Sequence, residues 1–115
     1  MTATFAAVMS AGRECMCHND FGPPNAVFRA GLPYAMIDFD TARPGARLWD
    51  LGYSAFAWLD LGNADDYSGA EQIRRLGVFA DGYGHPECRA EQVAIYAVTR
   101  QAALAAHGTR IGSVE

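Results

Sequence analysis

The chain has 115 residues, of which half are hydrophobic and 19% are charged, so it can form one small folded domain and is too apolar to be disordered. Its formal net charge of −4, with arginines scattered along the sequence, excludes the clustered basic surface that nucleic-acid phosphates require. No apolar stretch approaches the roughly 18 residues of a membrane span and no basic region precedes an apolar core at the N-terminus, which predicts a cytoplasmic protein without a membrane partner.

Two short elements and a polar cluster are predicted in the first quarter of the chain. Residues 2–10 are rich in alanine, which predicts a short helix. Residues 14–18 include two cysteines and a methionine and predict a buried strand. The strand leads into the polar residues 18–25, where the consecutive prolines Pro23 and Pro24 are expected to prevent regular structure.

A β-hairpin is predicted next. The apolar residues 26–28 and 34–37 flank a short segment with Gly31 at its centre. The second strand runs directly into Asp38. Because the strands of a hairpin are antiparallel, the end of the second strand returns to the start of the first, and we expect Asp38 beside Asn25.

Three helices are predicted in the remainder of the chain. After a loop at 41–45, apolar residues at helical spacing predict a helix over 46–61. An acidic connector over 62–68 precedes a helix over 70–80, and a third helix over 86–107 starts at a proline. These elements predict an α+β fold, in which a small antiparallel hairpin or sheet packs on three to four α-helices.

The polar cluster contains the spacing His-x-Asp-x-x-x-x-Asn, formed by His18, Asp20 and Asn25. In phosphoryl transfer, one carboxylate positions the attacking hydroxyl and accepts its proton, while an amide oxygen and a second carboxylate hold Mg²⁺ on the phosphates. The residue types and their order therefore favour Asp20 as the catalytic base, with Asn25 and Asp38 as metal ligands. Asp40 is a further candidate metal ligand.

Three segments of the chain carry a family resemblance. They are Cys-His-Asn-Asp-Phe-Gly-Pro-Pro-Asn from residue 17, Ala-Met-Ile-Asp-Phe-Asp from residue 35 and Arg-Leu-Trp-Asp-Leu from residue 47. They resemble the aminoglycoside phosphotransferases and their choline-kinase-like and protein-kinase relatives. The resemblance implies that Asp20 is the catalytic residue, that Asn25 and Asp38 bind Mg²⁺, and that ATP phosphorylates a small-molecule hydroxyl. It also implies that Asp50 braces the catalytic loop, which His18 orders through further hydrogen bonds.

The sequence also departs from this family. It contains no lysine and no glycine-rich loop of the kind that covers nucleotide phosphates. Asp-Phe-Asp stands where protein kinases have Asp-Phe-Gly, and Asp40 lacks the backbone freedom of glycine. We therefore expect residues 1–115 to be a single domain, part of the larger C-terminal lobe of a kinase-like fold, with the smaller nucleotide-binding lobe absent. The ATP site is then incomplete, and the isolated chain is expected to be inactive without a complementing lobe.

A non-catalytic interaction module is the main alternative. Trp49, Tyr53 and Phe56 give the helix over 46–61 a second apolar face, and a chain this short is expected to leave one of the two faces uncovered. Copies of such a remnant would form a homo-oligomer through the exposed apolar helix surface.

Two other metal sites are weaker alternatives. Asp38 and Asp40 suit the divalent cation of a sugar-nucleotide transferase, but the chain shows no βαβ succession to bind the nucleotide. Cys15, Cys17 and His18 offer soft ligands, although zinc usually takes four ligands and two-residue spacings between cysteines. Alternate strand residues that face a core explain the cysteines better.

Overall fold

Residues 15–114 of the chain are described by a computed structural model, and they form two small antiparallel sheets and three α-helices. This arrangement confirms the predicted α+β class. The helix predicted over residues 2–10 lies outside the described residues. Within residues 15–114, no helix is both long and apolar enough to cross a membrane. The elements in chain order are the strands β1 (Cys15–Cys17), β2 (Ala26–Arg29), β3 (Leu32–Met36) and β4 (Arg43–Gly45), then the helices α1 (Arg47–Leu59), α2 (Gly69–Tyr83) and α3 (Ala90–Val114).

Strands β1 and β4 form the first sheet, with Cys15 opposite Gly45 and Cys17 opposite Arg43. A strand was predicted at β1, whereas β4 was predicted as a loop, and that prediction is wrong. Three residues that include Pro44 carry no alternating apolar pattern, so periodicity could not reveal them. Proline is tolerated there because both strands of a two-stranded sheet are edge strands.

The second sheet is the predicted hairpin of β2 and β3, in which Ala26 lies opposite Met36. Its turn consists of Ala30 and Gly31, whose φ angles of 53° and 77° are left-handed. Such two-residue turns are typical of hairpins because their twist matches that of the strands. Strand β3 therefore begins at Leu32, two residues earlier than predicted.

The consecutive prolines before β2 form one turn of 3₁₀-helix over Pro23–Asn25, although no regular structure was expected there. The first positions of a helix need no backbone N–H donor, so prolines fit them. The Asn25 N–H donates to the Gly22 carbonyl at 3.0 Å, which closes the turn. The turn places Asn25 directly before Ala26, the first residue of β2.

Helices α1 and α2 lie close to their predicted ranges. The residues that cap the C-terminal ends of α1 and α2 are Asp60 and Gly84, and both are left-handed, with φ of 53° and 77°. The hydroxyl of Ser68 accepts a hydrogen bond from the Glu71 N–H at 3.1 Å and caps the start of α2. The acidic connector that was predicted over 62–68 lies between the cap at Asp60 and the cap at Ser68.

Helix α3 begins at Ala90, four residues after the predicted start at Pro86, and it extends past the predicted end at residue 107. Before it, His85 forms a separate turn: its Nδ1 accepts from the Glu87 N–H at 3.1 Å, and its carbonyl accepts from the Cys88 N–H at 2.9 Å. This turn occupies the backbone groups that a helix starting at Pro86 would use. The predicted bounds of the third helix are therefore wrong, while the helix itself is present.

The buried core lies where the three helices meet, and it includes Leu51, Leu76 and Val93. Helix α1 crosses α3 at Gly52, where a Cβ atom would lie 2.6 Å from the carbonyl carbon of Tyr96. The two helices are thus in backbone contact at this position. Helix α1 also contacts β1, so its first turn lies beside the loop that follows β1.

Candidate active site

The backbone of the loop after β1 is held by the first turn of α1. The Asp50 carboxylate accepts hydrogen bonds from the His18 N–H at 3.0 Å and from the Asn19 N–H at 2.9 Å. A carboxylate in the first turn is also favoured by the dipole of the helix. Asn19 has a left-handed φ of 71°, a conformation that asparagine tolerates better than most residues. Both oxygens of Asp50 therefore fix the direction of this loop.

The His18 side chain ties the loop to the end of the hairpin. Its ring is 2% exposed and lies against the ring of Phe39, with the ring centroids 4.8 Å apart. Its Nδ1 accepts from the Asp20 N–H at 3.1 Å, so the proton of the neutral ring is on Nε2, which donates to the Ile37 carbonyl at 2.8 Å. Because both ring nitrogens are engaged, His18 is available neither as a base nor as a metal ligand.

The side chain of Asp20 is held by two donors. The Tyr53 hydroxyl donates to Oδ1 at 2.7 Å, and Nδ2 of Asn25 donates to Oδ2 at 3.1 Å. The same Asn25 nitrogen donates to the Asp20 carbonyl at 2.8 Å, which fixes the orientation of the amide. Burial and the hydrogen bond to Asp20 raise the pKa of Tyr53 from its ordinary value of 10.0 to about 12. Tyr53 therefore remains a protonated donor at neutral pH.

The hairpin brings Asn25 and Asp38 to the same end of its ladder. The Ile37 N–H donates to the Asn25 carbonyl at 2.9 Å, so Asp38 follows directly after the residue paired with Asn25. Asp38 has a left-handed φ of 60°, a strained conformation that clusters at functional sites. Among the described residues, the Asp38 carboxylate and the Asn25 amide oxygen accept no hydrogen bond. These hard oxygen atoms fit Mg²⁺.

No three side chains among His, Cys, Asp and Glu form a metal-binding group in the part of the chain that the structure describes. Asp20, Asp38 and Asp40 therefore do not make a three-carboxylate cluster. Magnesium does not require one, because it usually binds one or two carboxylates together with waters and substrate phosphates. The metal roles of Asn25, Asp38 and Asp40 stay predictions.

The cysteine pair of β1 does not form a soft metal site. The Cys15 and Cys17 sulfur atoms lie 3.8 Å apart, and Cys17 is fully buried. Burial raises the pKa of the Cys17 thiol to about 12. Within the described residues, Cys15, Cys17 and His18 do not form a metal-binding group, and both ring nitrogens of His18 are engaged.

Several residues that hold the loop were not predicted from the sequence. The Thr41 hydroxyl donates to the His18 carbonyl at 3.0 Å, and the Ser54 hydroxyl donates to the Phe21 carbonyl at 2.9 Å. Ser54 and Tyr53 lie four and three residues after Asp50, which is the spacing that places residues on one helix face. This spacing could have indicated that Tyr53 and Ser54 also face the loop. It was missed because Tyr53 was assigned to an apolar helix face.

Arg100 on α3 is the other residue that the sequence did not reveal. It is 7% exposed, and its guanidinium donates to the Trp49 carbonyl at 2.9 Å and to the Asn19 carbonyl at 3.2 Å. Its Cζ lies 4.5 Å from the centroid of the Trp49 ring and 5.0 Å from that of Tyr53. Burial lowers the pKa of Arg100, and the nearby Asp50 opposes that shift. Arginine stays charged in proteins, so a buried cation holds the loop backbone at the Asn19 carbonyl.

A large apolar cleft lies between the helices and the hairpin. It has a volume of about 820 Å³ and mostly apolar walls from α1, α2 and the hairpin, including Trp58 and Phe79. Of the predicted site residues, only Asp50 is among those that line it. Asp20 is not among the lining residues, although its neighbour Phe21 is.

The sequence matches the model of the phosphotransferase enzyme family over residues 1–94, a range that contains His18, Asp20, Asn25, Asp38 and Asp50. Searches of curated proteins and of solved structures gave no significant match. Because the matched range covers most of the 115 residues, the chain belongs to the phosphotransferase enzyme family.

Proposed function

We propose that the loop after β1 forms part of a magnesium-dependent site that transfers a phosphoryl group from ATP to the hydroxyl of a small molecule. The observation that carries the proposal is the arrangement around Asp20. Its carboxylate is held by two hydrogen bonds, and the hairpin brings the backbone of Asn25 and Asp38 to the same end of one ladder. Family membership supports phosphoryl transfer in general.

Asp20 would orient the acceptor hydroxyl and accept its proton. Each oxygen of a carboxylate has about two lone-pair sites, and each oxygen of Asp20 uses one of them for Tyr53 or Asn25. One site on each oxygen is left for the acceptor. The rigid carboxylate then holds the hydroxyl near the line of attack, which is most of what catalysis of this reaction requires.

Asn25 and Asp38 would hold the metal. The amide nitrogen of Asn25 is engaged by Asp20, so its oxygen faces away as a ligand. Bound Mg²⁺ would neutralise charge on the transferred phosphoryl group. The two residues would fix its place relative to the Asp20 carboxylate.

ATP requires contacts beyond those that these 115 residues offer. The sequence has no lysine to place on the phosphates, and the buried Arg100 is committed to backbone carbonyls. We propose that a complementing lobe, from another chain or a longer product, supplies these contacts. The isolated chain is then a metal and acceptor site with little transfer activity.

Mn²⁺, which takes the same oxygen ligands as Mg²⁺, tests this site on the isolated chain. Its paramagnetism is expected to broaden the NMR signals of Asn25 and Asp38 before others, and Mg²⁺ should reverse the broadening. Asp38→Asn removes a ligand and should weaken the Mn²⁺ affinity at least tenfold, since even outer partners of metal ligands contribute about 10–100-fold.

Asp81→Asn is the matched control, because it removes one exposed carboxylate from α2 without touching the loop. Uniform broadening across the chain, or equal Mn²⁺ affinity in Asp38→Asn and Asp81→Asn, would contradict the metal site. Transfer of labelled phosphate from ATP by the chain alone, lost in Asp20→Asn, would show that no complementing lobe is needed.

A second candidate function is association through the hairpin. Its strands expose a run of apolar side chains with fractional exposures between 41% and 68%: Val27, Phe28, Leu32, Tyr34 and Met36. Exposed apolar side chains gathered in one element of this kind indicate a protein interface. The α1 face that was predicted to be exposed is instead half-buried, because Arg100 packs over Trp49 and Tyr53.

If the hairpin is an interface between copies, sedimentation should show a concentration-dependent dimer. Leu32→Glu is expected to weaken dimerisation at least about tenfold, because it places a charge in the apolar patch. Ile73→Glu is the control, since it places the same charge at an exposed apolar position on α2. A monomer at every concentration, or equal effects of the two substitutions, would leave the hairpin without this role.

A further inference from the structure

Helix α1 holds the loop through two side chains that lie one turn apart. Asp50 accepts from the loop backbone at His18 and Asn19, and Tyr53, one turn later, donates to the side chain of Asp20. The spacing of three residues puts Asp50 and Tyr53 on the same side of the helix. One helix face thus controls both the path of the loop and the orientation of its candidate base.

Tyr53 is itself held in place. The guanidinium of Arg100 lies 5.0 Å from the centre of its ring, and the ring of Phe56 meets it edge-on at 6.3 Å. These contacts act on the ring, and phenylalanine would make them equally well. The hydroxyl adds only the 2.7 Å hydrogen bond to Asp20, so that bond is the distinct contribution of tyrosine at this position.

The other donor to the Asp20 carboxylate is Asn25, which is also a candidate metal ligand. Its one amide group both holds Asp20 through the nitrogen and offers the oxygen that would bind the metal. Tyr53 has no such second duty. Among the described residues, it is the side-chain donor that holds Asp20 independently of the metal.

We propose that Tyr53 is a positioning residue for phosphoryl transfer, whose hydroxyl fixes Oδ1 of Asp20 and so keeps the carboxylate directed at the acceptor whether or not the metal is bound. The proposal deepens the proposed function and rests on it for the role of Asp20. The geometric part, that Tyr53 fixes the Asp20 side chain, is measurable without any catalytic activity.

Tyr53→Phe removes the hydroxyl and keeps the ring. The couplings between the α and β protons of Asp20, measured by NMR, should report one dominant side-chain rotamer in the parent chain. In Tyr53→Phe we expect the population of that rotamer, relative to the others, to fall about fivefold, which is the effect of losing one hydrogen bond. Tyr67→Phe, on the connector before α2, is the matched control and should leave the couplings of Asp20 unchanged.

A second measurement uses the parent tyrosine and does not depend on the folding of a variant. The phenol of Tyr53, followed by ¹³C NMR, should titrate near 12 rather than near 10.0. In Asp20→Asn the carboxylate charge is gone, and the pKa of Tyr53 should fall below its value in the parent chain. The hydroxyl would then be shown to face Asp20.

Unchanged Asp20 couplings in Tyr53→Phe overturn the proposal, and so does a Tyr53 pKa that ignores Asp20→Asn. A general loss of signal dispersion in Tyr53→Phe would assign Tyr53 a purely structural role, and it would also overturn the proposal. Failure of Mn²⁺ to bind at Asn25 and Asp38 would instead remove the proposed function while leaving these two results as they are. The two failures are therefore distinguishable.

Discussion

Replacing Arg100 with methionine is expected to lower the free energy of unfolding by about 4 kcal/mol. Arg100 is almost fully buried and donates to the carbonyls of Trp49 and Asn19. Hydrogen bonds from a charged donor each contribute about 1.5–3 kcal/mol, and both carbonyls would lose theirs. The substitution also removes a positive charge that interacts with the partly buried Asp50, which adds to the loss.

Methionine preserves most of the length of the side chain, so a cavity contributes little to this effect. The measurement is urea unfolding followed by circular dichroism, with Arg89→Met as the control. Arg89 is exposed just before α3, and surface substitutions usually change stability by less than about 0.5 kcal/mol. Comparable stability of Arg100→Met and Arg89→Met would contradict a supporting role for Arg100.

Replacing Gly52 with alanine is expected to cost about 2 kcal/mol net, although alanine is the better helix former. A new Cβ would lie 2.6 Å from the carbonyl carbon of Tyr96 and 2.8 Å from its oxygen. Main-chain atoms cannot rotate away, so α1 and α3 must separate. Overpacking of this kind typically costs about 1–3 kcal/mol and occasionally more, which exceeds the roughly 1 kcal/mol gained by removing a glycine from a helix.

Gly77→Ala on α2 isolates that gain, because nothing lies within 4 Å of the position that its Cβ would occupy. We expect Gly77→Ala to stabilise the chain by about 0.5–1 kcal/mol and Gly52→Ala to destabilise it. Thermal and urea unfolding of both variants measure the difference. Equal shifts in the same direction would mean that the crossing of α1 and α3 is not as close as the structure has it.

The sequence was most informative where the structure is local. The hairpin follows from two short apolar runs around Gly31, and its antiparallel pairing alone brings Asp38 next to Asn25 in the ladder. The spacing of His18, Asp20 and Asn25 could be interpreted as a loop because these residues lie within eight positions of one another. In each case the signal and the contact involve nearby residues.

The sequence was least informative where contacts join distant segments or where one residue has two properties. Arg100 stands between Thr99 and Gln101 on α3, and no pattern indicates which carbonyls it meets. Tyr53 was assigned to an apolar face because its ring is apolar. Its hydroxyl reaches Asp20 because of the way α1 packs against the loop, which the sequence does not show. Strand β4 exists because β1 is there to pair with it. Such features depend on the tertiary fold rather than on propensity.

The anchoring of the loop by α3 also has a consequence for the order in which the protein is made. The guanidinium that binds the Asn19 carbonyl belongs to a residue 81 positions later in the chain. During synthesis the loop therefore leaves the ribosome long before Arg100, whose side chain binds it. Contacts of such large sequence separation form slowly. Nascent chains that stop short of α3 would therefore carry this loop without the hydrogen bond from Arg100.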